Sequence, residues 1–165
     1  MYLREKRVKH ILVTTDFSEE AEAAFDCAKE QVQLIGKEKS RITLLKVIDI
    51  VIPTNNEFDY GVDTSDKVGI IEKLQEQASE RIREIAEKHF TGFPIETLVY
   101  TPSKDVYQGI IEFAGTHKVD LIVMSTHGRT GAGHFFLGSI AERVIRQAPC
   151  PVMVVPAKIA KKETP

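Results

Sequence analysis

VDLIVMSTHG, residues 119–128, is an apolar run that ends in small and polar residues. The apolar part is too short for a helix and is typical of a strand buried on both faces of a parallel sheet. A glycine-bearing loop follows as far as Leu137, and a helical segment begins near Ser139. A strand, a loop and a helix in this order predict one repeating unit of an α/β sheet.

The same alternation of short apolar runs and amphipathic stripes extends towards both ends of the chain. Cap-forming residues at 16–20 predict the start of the first helix, and Ser103 is predicted to cap the third. Right-handed crossovers between parallel strands place the helices on both faces of one sheet. The predicted strands are 10–15, 41–48, 94–100, 119–125 and 152–155, and the predicted apolar helix stripes span 21–35, 67–90, 106–114 and 139–147.

The length of 165 residues suits a single domain over 1–165, since domains commonly run to about 100–200 residues. Residues 49–66 contain Pro53 and Gly61 and have no clear period. A stretch of that length inside a compact domain predicts a flexible loop or a lid. Residues 157–165 are polar and predict a C-terminal tail.

Composition argues against several classes of function. A net charge of −2 is unlike that of proteins that bind nucleic acid through excess Lys and Arg. The two cysteines, Cys27 and Cys150, show no CxxC spacing. We find no apolar run near the roughly 20 residues of a membrane-spanning helix. Residues 1–10 are too charged for a secretory signal, so we expect a cytoplasmic protein without membrane partners.

Two predicted strand ends carry residues suited to a ligand site. Thr14-Thr15-Asp16 follows the first strand, and 124–128 follows the fourth. Ligands of open parallel sheets bind beyond the carboxyl ends of the strands. Gly138-Ser139 then opens a helix, whose free N–H groups and partial positive charge attract anions. Arg129 is close enough in sequence to help neutralise a phosphate.

Each of these features also has a purely structural interpretation. Ser139 to Glu142 fits a capping box, which satisfies a helix start without a ligand, and pattern alone weighs the two interpretations equally. Asp16 is also a common type of helix cap. His127 and His134 lie in the glycine loop without partners at zinc-like spacing, and no serine stands in a Gly-x-Ser-x-Gly elbow. We therefore expect neither a resident metal site nor catalytic residues.

Specific motifs give the chain a recognisable resemblance. Ser125-Thr126-His127-Gly128, nine residues and then Gly138-Ser139 resembles the Gly-x2-Gly-x9-Gly-(Ser/Thr) signature of the universal stress protein family. The segments 11–18, 44–49, 119–124 and 148–155 resemble four strands of that family and their flanking turns. The resemblance covers nearly the whole chain. It implies a single Rossmann-like α/β domain whose five parallel strands follow the order 3-2-1-4-5.

In its ATP-binding branch, the resemblance also implies a site for ATP, ADP or AMP at the ends of strands 1 and 4, with Mg²⁺ a possible companion of the phosphates. Carried over by position, Thr14 and Val47 would border the adenine, with the backbone of Val47 reading its edge. Asp16 would lie near the ribose or a phosphate-bound metal. The expected binding residues are Thr14, Asp16, Val47, Met124, Ser125, Gly128, Arg129, Gly138, Ser139 and the N–H of Ile140.

The chain departs from the family pattern at two positions. Ser125 replaces the first glycine of the signature, and Tyr100 stands where many relatives have a glycine. Two functions therefore stay open: a nucleotide-binding stress or signalling protein with a protein partner, or an interaction module with an empty pocket. Slow ATP hydrolysis is the most activity that we expect, since the chain has no Walker-type lysine motif.

The last strand, 152–155, should lie at an edge of the sheet with unpaired backbone groups. Antiparallel pairing with the same strand of a second subunit would satisfy those groups, and the family resemblance implies a homodimer of this kind. The alternative is a monomer, in which the flanking prolines and the basic tail protect the edge.

Overall fold

A five-stranded parallel sheet forms the centre of the computed structural model, which describes residues 8–49, 67–102, 105–126 and 137–156. The strands are β1 (His10–Thr14), β2 (Arg41–Val47), β3 (Ile95–Tyr100), β4 (Leu121–Ser125) and β5 (Val152–Val155). Their order is β3-β2-β1-β4-β5. The predicted sheet order is therefore confirmed, and β5 lies at an edge as expected.

Four α-helices in the described part of the chain cover the two faces of the sheet. Apolar residues of the first two helices pack with one face of the sheet, and those of the last two pack with the other. The amphipathic character of the helices causes this arrangement, because each helix buries its apolar face against the sheet and leaves its polar face in water. The helices are α1 (Ala23–Ile35), α2 (Lys67–His89), α3 (Val106–Thr116) and α4 (Ser139–Gln147).

Three local predictions need correction. A 3-10 turn at Glu20–Glu22 precedes α1, which begins later than the stripe indicated. Leu74 belongs to the predicted apolar stripe of α2 but is 44% exposed. The N-cap of α3 is Asp105, whose N–H donates a hydrogen bond to Gln108 Oε1 at 3.4 Å, so the prediction of a cap at Ser103 is wrong.

Other predictions fall outside the described part of the chain. The proposed flexible loop at 49–66 is described only at Asp49, and the polar tail at 157–165 is not described. Among the described helices, we find none with the length and apolar character needed to cross a bilayer.

A buried histidine lies at the amino end of β1, which is the end of the sheet remote from the strand termini predicted to bind ligand. His10 Nε2 is 2.8 Å from Thr43 Oγ1, and the Thr43 hydroxyl in turn donates to Glu96 Oε1. Arg41 Nη2 lies 3.1 Å from His10 Nδ1, and the Asp120 carboxylate accepts the His10 backbone N–H. Burial, followed by the nearby Arg41 guanidinium, lowers the pKa of His10 from 6.5.

This lowered pKa predicts a stability that depends on pH. The unfolded chain protonates His10 near pH 6.5, whereas the folded chain protonates it only at lower pH. The unfolded state therefore binds the proton first, and the unfolding free energy falls as the pH drops through about 6.5. Urea unfolding at about pH 7.5 and about pH 5.5 should show a larger loss for the natural chain than for His10→Gln. Equal losses in the two proteins would contradict this role of His10.

Candidate functional site

A cavity of about 290 Å³ opens at the carboxyl ends of β1, β2 and β4, between α3 and the start of α4. β1 lies between β2 and β4. After β1 the chain adds β2 and β3 on one side of it, and then crosses over to add β4 and β5 on the other side, so the order of the strands reverses at β1. Such a reversal leaves a crevice where open α/β sheets bind ligands. The cavity therefore occupies the position that the fold class predicts for a ligand.

Eight of the ten predicted binding residues line this cavity. They come from four separate elements or their ends, which the sheet order brings together. Gly128 and Arg129 lie outside the described residues, as do His127 and His134. The eight that line the cavity are Thr14, Asp16, Val47, Met124, Ser125, Gly138, Ser139 and Ile140.

The cavity lining combines a group of apolar residues, called the apolar wall below, with a group of uncharged polar residues. The apolar wall belongs to the hydrophobic cluster under α3 and α4, so its side chains are held by close packing. An apolar wall with a few polar groups facing it is the usual composition of a small-molecule site. The apolar wall comprises Leu45, Val47, Val106, Ile110, Met124 and Ala141, and Ala21 and Ile140 are further apolar lining residues. The uncharged polar lining comprises Thr14, Thr15, Ser125, Thr126 and Ser139.

Strained backbone fixes the turn after β1. Phe17 has a φ of 72°, a left-handed conformation that is uncommon for a residue with a bulky side chain. Its N–H donates to Thr15 Oγ1 at 3.0 Å, and the N–H of Ser18 donates to Asp16 Oδ1 at 3.0 Å. The Asp16 carboxylate therefore organises this turn, and the interpretation of Asp16 as the cap of the first helix is wrong.

The start of α4 lies at the cavity. Gly138 is the N-cap and has no side chain that could accept hydrogen bonds from the backbone amides of the first helical turn. The Gly138 N–H donates to the Thr126 carbonyl at 2.7 Å, which ties the helix start to the end of β4. An α-helix leaves the N–H groups of its first turn without partners inside the helix, and their partial positive charge attracts anions. Gly138, Ser139, Ile140 and Ala141 all line the cavity.

The alternative of a capping box at Ser139 is not supported. Ser139 is the first helical residue and not the N-cap, so its hydroxyl does not hold the position that a capping box requires. The Glu142 carboxylate is 2.9 Å from Arg146 Nη2 in an i,i+4 pair. The pattern Ser139 to Glu142 is one residue out of register with the helix, which sequence spacing alone does not reveal.

The two departures from the family signature have different surroundings. Ser125 is buried and belongs to the residues that line the cavity. The ring of Tyr100 packs edge-on against Phe113 of α3, with centroids 6.3 Å apart. Partial burial, and then a hydrogen bond with Glu112, raise the pKa of Tyr100. Tyr100 is absent from the described lining, so its position does not obstruct the cavity.

Close packing of α3 against β2 was not anticipated from the sequence. A Cβ built on Gly109 would lie 2.9 Å from Pro102 Cβ and 3.1 Å from Val47 Cγ1. The absence of a side chain at Gly109 therefore allows α3 to approach the strand and to place Val106 and Ile110 on the cavity wall.

Several lining residues were missed by sequence reasoning. Lys46 and Asp49 lie within two residues of Val47, so their closeness in sequence to that residue was the available signal for them. Val106 and Ile110 share one helix face at i,i+4 spacing, but only the packing of α3 shows that this face meets the cavity. Within the described part of the chain, His, Cys, Asp and Glu form no cluster of three that could hold a metal ion.

The sequence matches a known family over most of its length. The model of the universal stress protein family matches residues 7–156. Universal stress protein MJ0531 of Methanocaldococcus jannaschii is 32% identical over 166 aligned positions, which cover 96% of this chain and 87% of that protein.

Solved structures agree with this match. Protein MJ0577 of Methanocaldococcus jannaschii is 30% identical with a TM-score of 0.75, over 93% of this chain and 99% of that one. A universal stress protein from Archaeoglobus fulgidus in complex with dAMP is 21% identical with a TM-score of 0.54, over 90% and 98% of the two chains. A universal stress protein in complex with cAMP is 18% identical with a TM-score of 0.56, over 92% and 98%. The last two likenesses concern the fold alone.

Proposed function

Because the chain belongs to the universal stress protein family, we propose that it binds an adenine nucleotide and acts as a stress-response or signalling protein. The ligand is ATP, ADP or AMP, bound in the cavity at the ends of β1, β2 and β4. The observation that carries this proposal is the start of α4, whose first residues after the N-cap Gly138 line the same cavity as the apolar wall. A nucleotide combines an apolar base, which suits the apolar wall, with a phosphate chain, which suits the start of a helix.

The proposed orientation follows from this division of the lining. The base lies against Val47, Met124 and Ile110, and the backbone of Val47 reads its edge. The phosphates lie at Gly138 and Ser139, where helix amides and the helix dipole stabilise negative charge. Gly128 and Arg129, outside the described residues, complete the proposed phosphate site by their place in the signature.

Two family structures support the ligand class. One was solved with dAMP and the other with cAMP, both of which carry an adenine and a phosphate. The same fold therefore accommodates adenine nucleotides in other proteins. For this chain, the cavity lining is the supporting evidence, because these two neighbours are under 25% identical.

We also propose that a magnesium ion accompanies the phosphates. Asp16 and Asp49 both line the cavity, and Mg²⁺ is commonly held by one or two carboxylates together with phosphate oxygens. In that place the ion would supply positive charge to the phosphate chain. We assign no catalytic residue, and slow hydrolysis is the most activity that we propose.

A second candidate is an interaction module whose cavity binds no nucleotide. The buried Ser125 side chain favours it, because it fills space that a glycine leaves open in the family signature.

We also propose that the protein forms a homodimer through β5, which is a short half-buried strand at an edge of the sheet. A partner protein would recognise the nucleotide-bound state, and both proteins would act in the cytoplasm. Sedimentation that finds only monomer would remove the dimer from the proposal.

Thermal unfolding with and without Mg-ATP separates these two functions. A ligand at about 100 times its dissociation constant stabilises a protein by about 2.7 kcal/mol. For a chain of this size, about 1 kcal/mol corresponds to a rise of about 2–4 °C in the melting temperature. We therefore expect a clear rise with ATP, and a smaller one with a nucleotide that lacks adenine. An unchanged melting temperature at millimolar ATP would favour the interaction module.

A further inference from the structure

The Nδ1 atom of the buried His10 has two neighbours that it cannot satisfy at the same time. Arg41 Nη2 lies 3.1 Å from it, and the backbone carbonyl oxygen of His117 lies 3.2 Å from it. A guanidinium group only donates hydrogen bonds, so a bond with Arg41 requires Nδ1 without a proton. A carbonyl oxygen only accepts, so a bond with His117 requires Nδ1 with a proton. One proton on Nδ1 therefore decides which neighbour is bonded.

The other ring nitrogen of His10 has a fixed role. Its Nε2 lies 2.8 Å from Thr43 Oγ1, and the Thr43 hydroxyl donates its own hydrogen to Glu96 Oε1. The Thr43 oxygen is then left to accept a hydrogen bond, so Nε2 carries a proton and donates it there. The neutral ring is therefore the Nε2–H tautomer, and Nδ1 is the atom that gains or loses a proton.

Charged groups from three strands or their ends act on the His10 ring. Arg41 at the start of β2 opposes a positive charge on the ring, whereas Glu96 of β3 and Asp120 before β4 favour one. The Asp120 carboxylate also accepts the backbone N–H groups of Lys9 and His10 at 3.0 and 3.1 Å. His10 is only 4% exposed, whereas Arg41 is exposed, so the guanidinium group has water within reach and the ring does not.

The carboxyl end of α3 supplies the second partner of Nδ1. His117 is the C-cap of this helix, and the last carbonyl groups of a helix carry partial negative charge that stabilises a nearby cation. The His117 ring stacks on Phe113 with centroids 3.9 Å apart, and its own Nδ1 lies 3.0 Å from the Phe113 carbonyl oxygen. The group of His117 that contacts His10 is thus its carbonyl, which suits a protonated imidazole.

We propose that His10 is a pH-operated switch, in which the gain of a proton exchanges its bond with Arg41 for a bond with the carboxyl end of α3. In the neutral state, Arg41 donates to Nδ1 and joins the starts of β1 and β2. In the protonated state, the Nδ1–H group donates to the His117 carbonyl, and the like-charged guanidinium group is repelled into water. The switch lies at the amino end of the sheet, so it does not depend on the proposed nucleotide site.

Nitrogen-15 NMR of the imidazole and guanidinium groups tests the proposal on the natural chain. At about pH 7.5 the His10 signals should show a proton on Nε2 and none on Nδ1. As the pH falls to about 5, the side-chain signal of Arg41 should shift with the same midpoint as the signals of His10. A proton on Nδ1 at the higher pH, or an Arg41 signal that does not follow His10, would show that the proposal is wrong.

Arg41→Met gives an independent readout. Without the guanidinium group, Nδ1 loses both its donor and a nearby positive charge, so His10 should take up its proton at a higher pH than in the natural chain. Arg83→Met is the matched control, because Arg83 donates to the Ser79 carbonyl within α2 and is not among the charged groups that act on His10. It removes the same charge and should leave the His10 midpoint unchanged. Equal His10 midpoints in the two variants would contradict the exchange of partners.

Discussion

Gly138→Asp should lose nucleotide binding and keep its fold. The φ of −59° and ψ of 146° at Gly138 suit any L-residue, and aspartate is a favoured N-cap that accepts hydrogen bonds from first-turn amides. The same carboxylate would occupy the proposed phosphate position. Two unit charges about 4 Å apart repel by about 4 kcal/mol at an effective dielectric of about 20. We therefore expect ATP affinity to fall a hundredfold or more, while stability without ligand stays equal or rises slightly.

Two further variants make this result specific. Gly138→Asn caps the helix without adding charge, so its loss of ATP affinity should be smaller than that of Gly138→Asp. Gly115→Asp adds the same carboxylate on α3, where nothing lies within 4 Å of the new Cβ, and it should leave binding unchanged. Calorimetry gives the affinities and urea unfolding gives the stabilities. A Gly138→Asp protein that binds ATP normally would show that the phosphate position is misplaced.

Gly109→Ala should destabilise the protein and weaken binding of adenosine and ATP alike. The added methyl group would lie 2.9 Å from a proline ring carbon and 3.1 Å from Val47 Cγ1, so α3 or Val47 must move. Overpacking of this kind costs about 1–3 kcal/mol. Alanine improves helix propensity by up to about 1 kcal/mol, which offsets only part of the cost. Because Val47 and Ile110 line the base side of the cavity, the loss of affinity should not depend on ligand charge.

Gly115→Ala is the control for this prediction. Gly115 lies on the same helix and has open space around it, so the substitution should leave affinity unchanged and raise stability by up to about 1 kcal/mol. The melting temperatures of the two variants should therefore move in opposite directions. If Gly109→Ala is as stable as Gly115→Ala and binds normally, the close approach of α3 to β2 does not shape the cavity.

The sheet was predictable from the sequence because its strands are short and mostly apolar, apart from β3, in which apolar and polar residues alternate. Residues 119–125 and 152–155 could not form amphipathic helices, and the stripes between the strands have the helical period. Strand order came from the family resemblance, since periodicity does not specify which strands are neighbours. The positions of Thr14 and Ser139 at one cavity then followed from that order.

Contacts between elements distant in sequence were not predictable. Gly109 looks like an ordinary weak position in a helix, and its closeness to Val47 depends on how α3 crosses the sheet. The pairing of Lys46 with Phe17 likewise needs the turn geometry after β1. Helix starts were uncertain by one or two residues, which explains the incorrect caps predicted at Ser103 and Ser139.

A crystal structure of the protein with ATP and Mg²⁺ tests the central claim most directly. We predict phosphate oxygens within hydrogen-bond distance of the amides of Ser139 and Ile140, and the adenine against Val47 and Met124. Nucleotide bound at another surface would contradict this account. So would crystals grown in saturating ATP in which the amides that begin α4 bind only water.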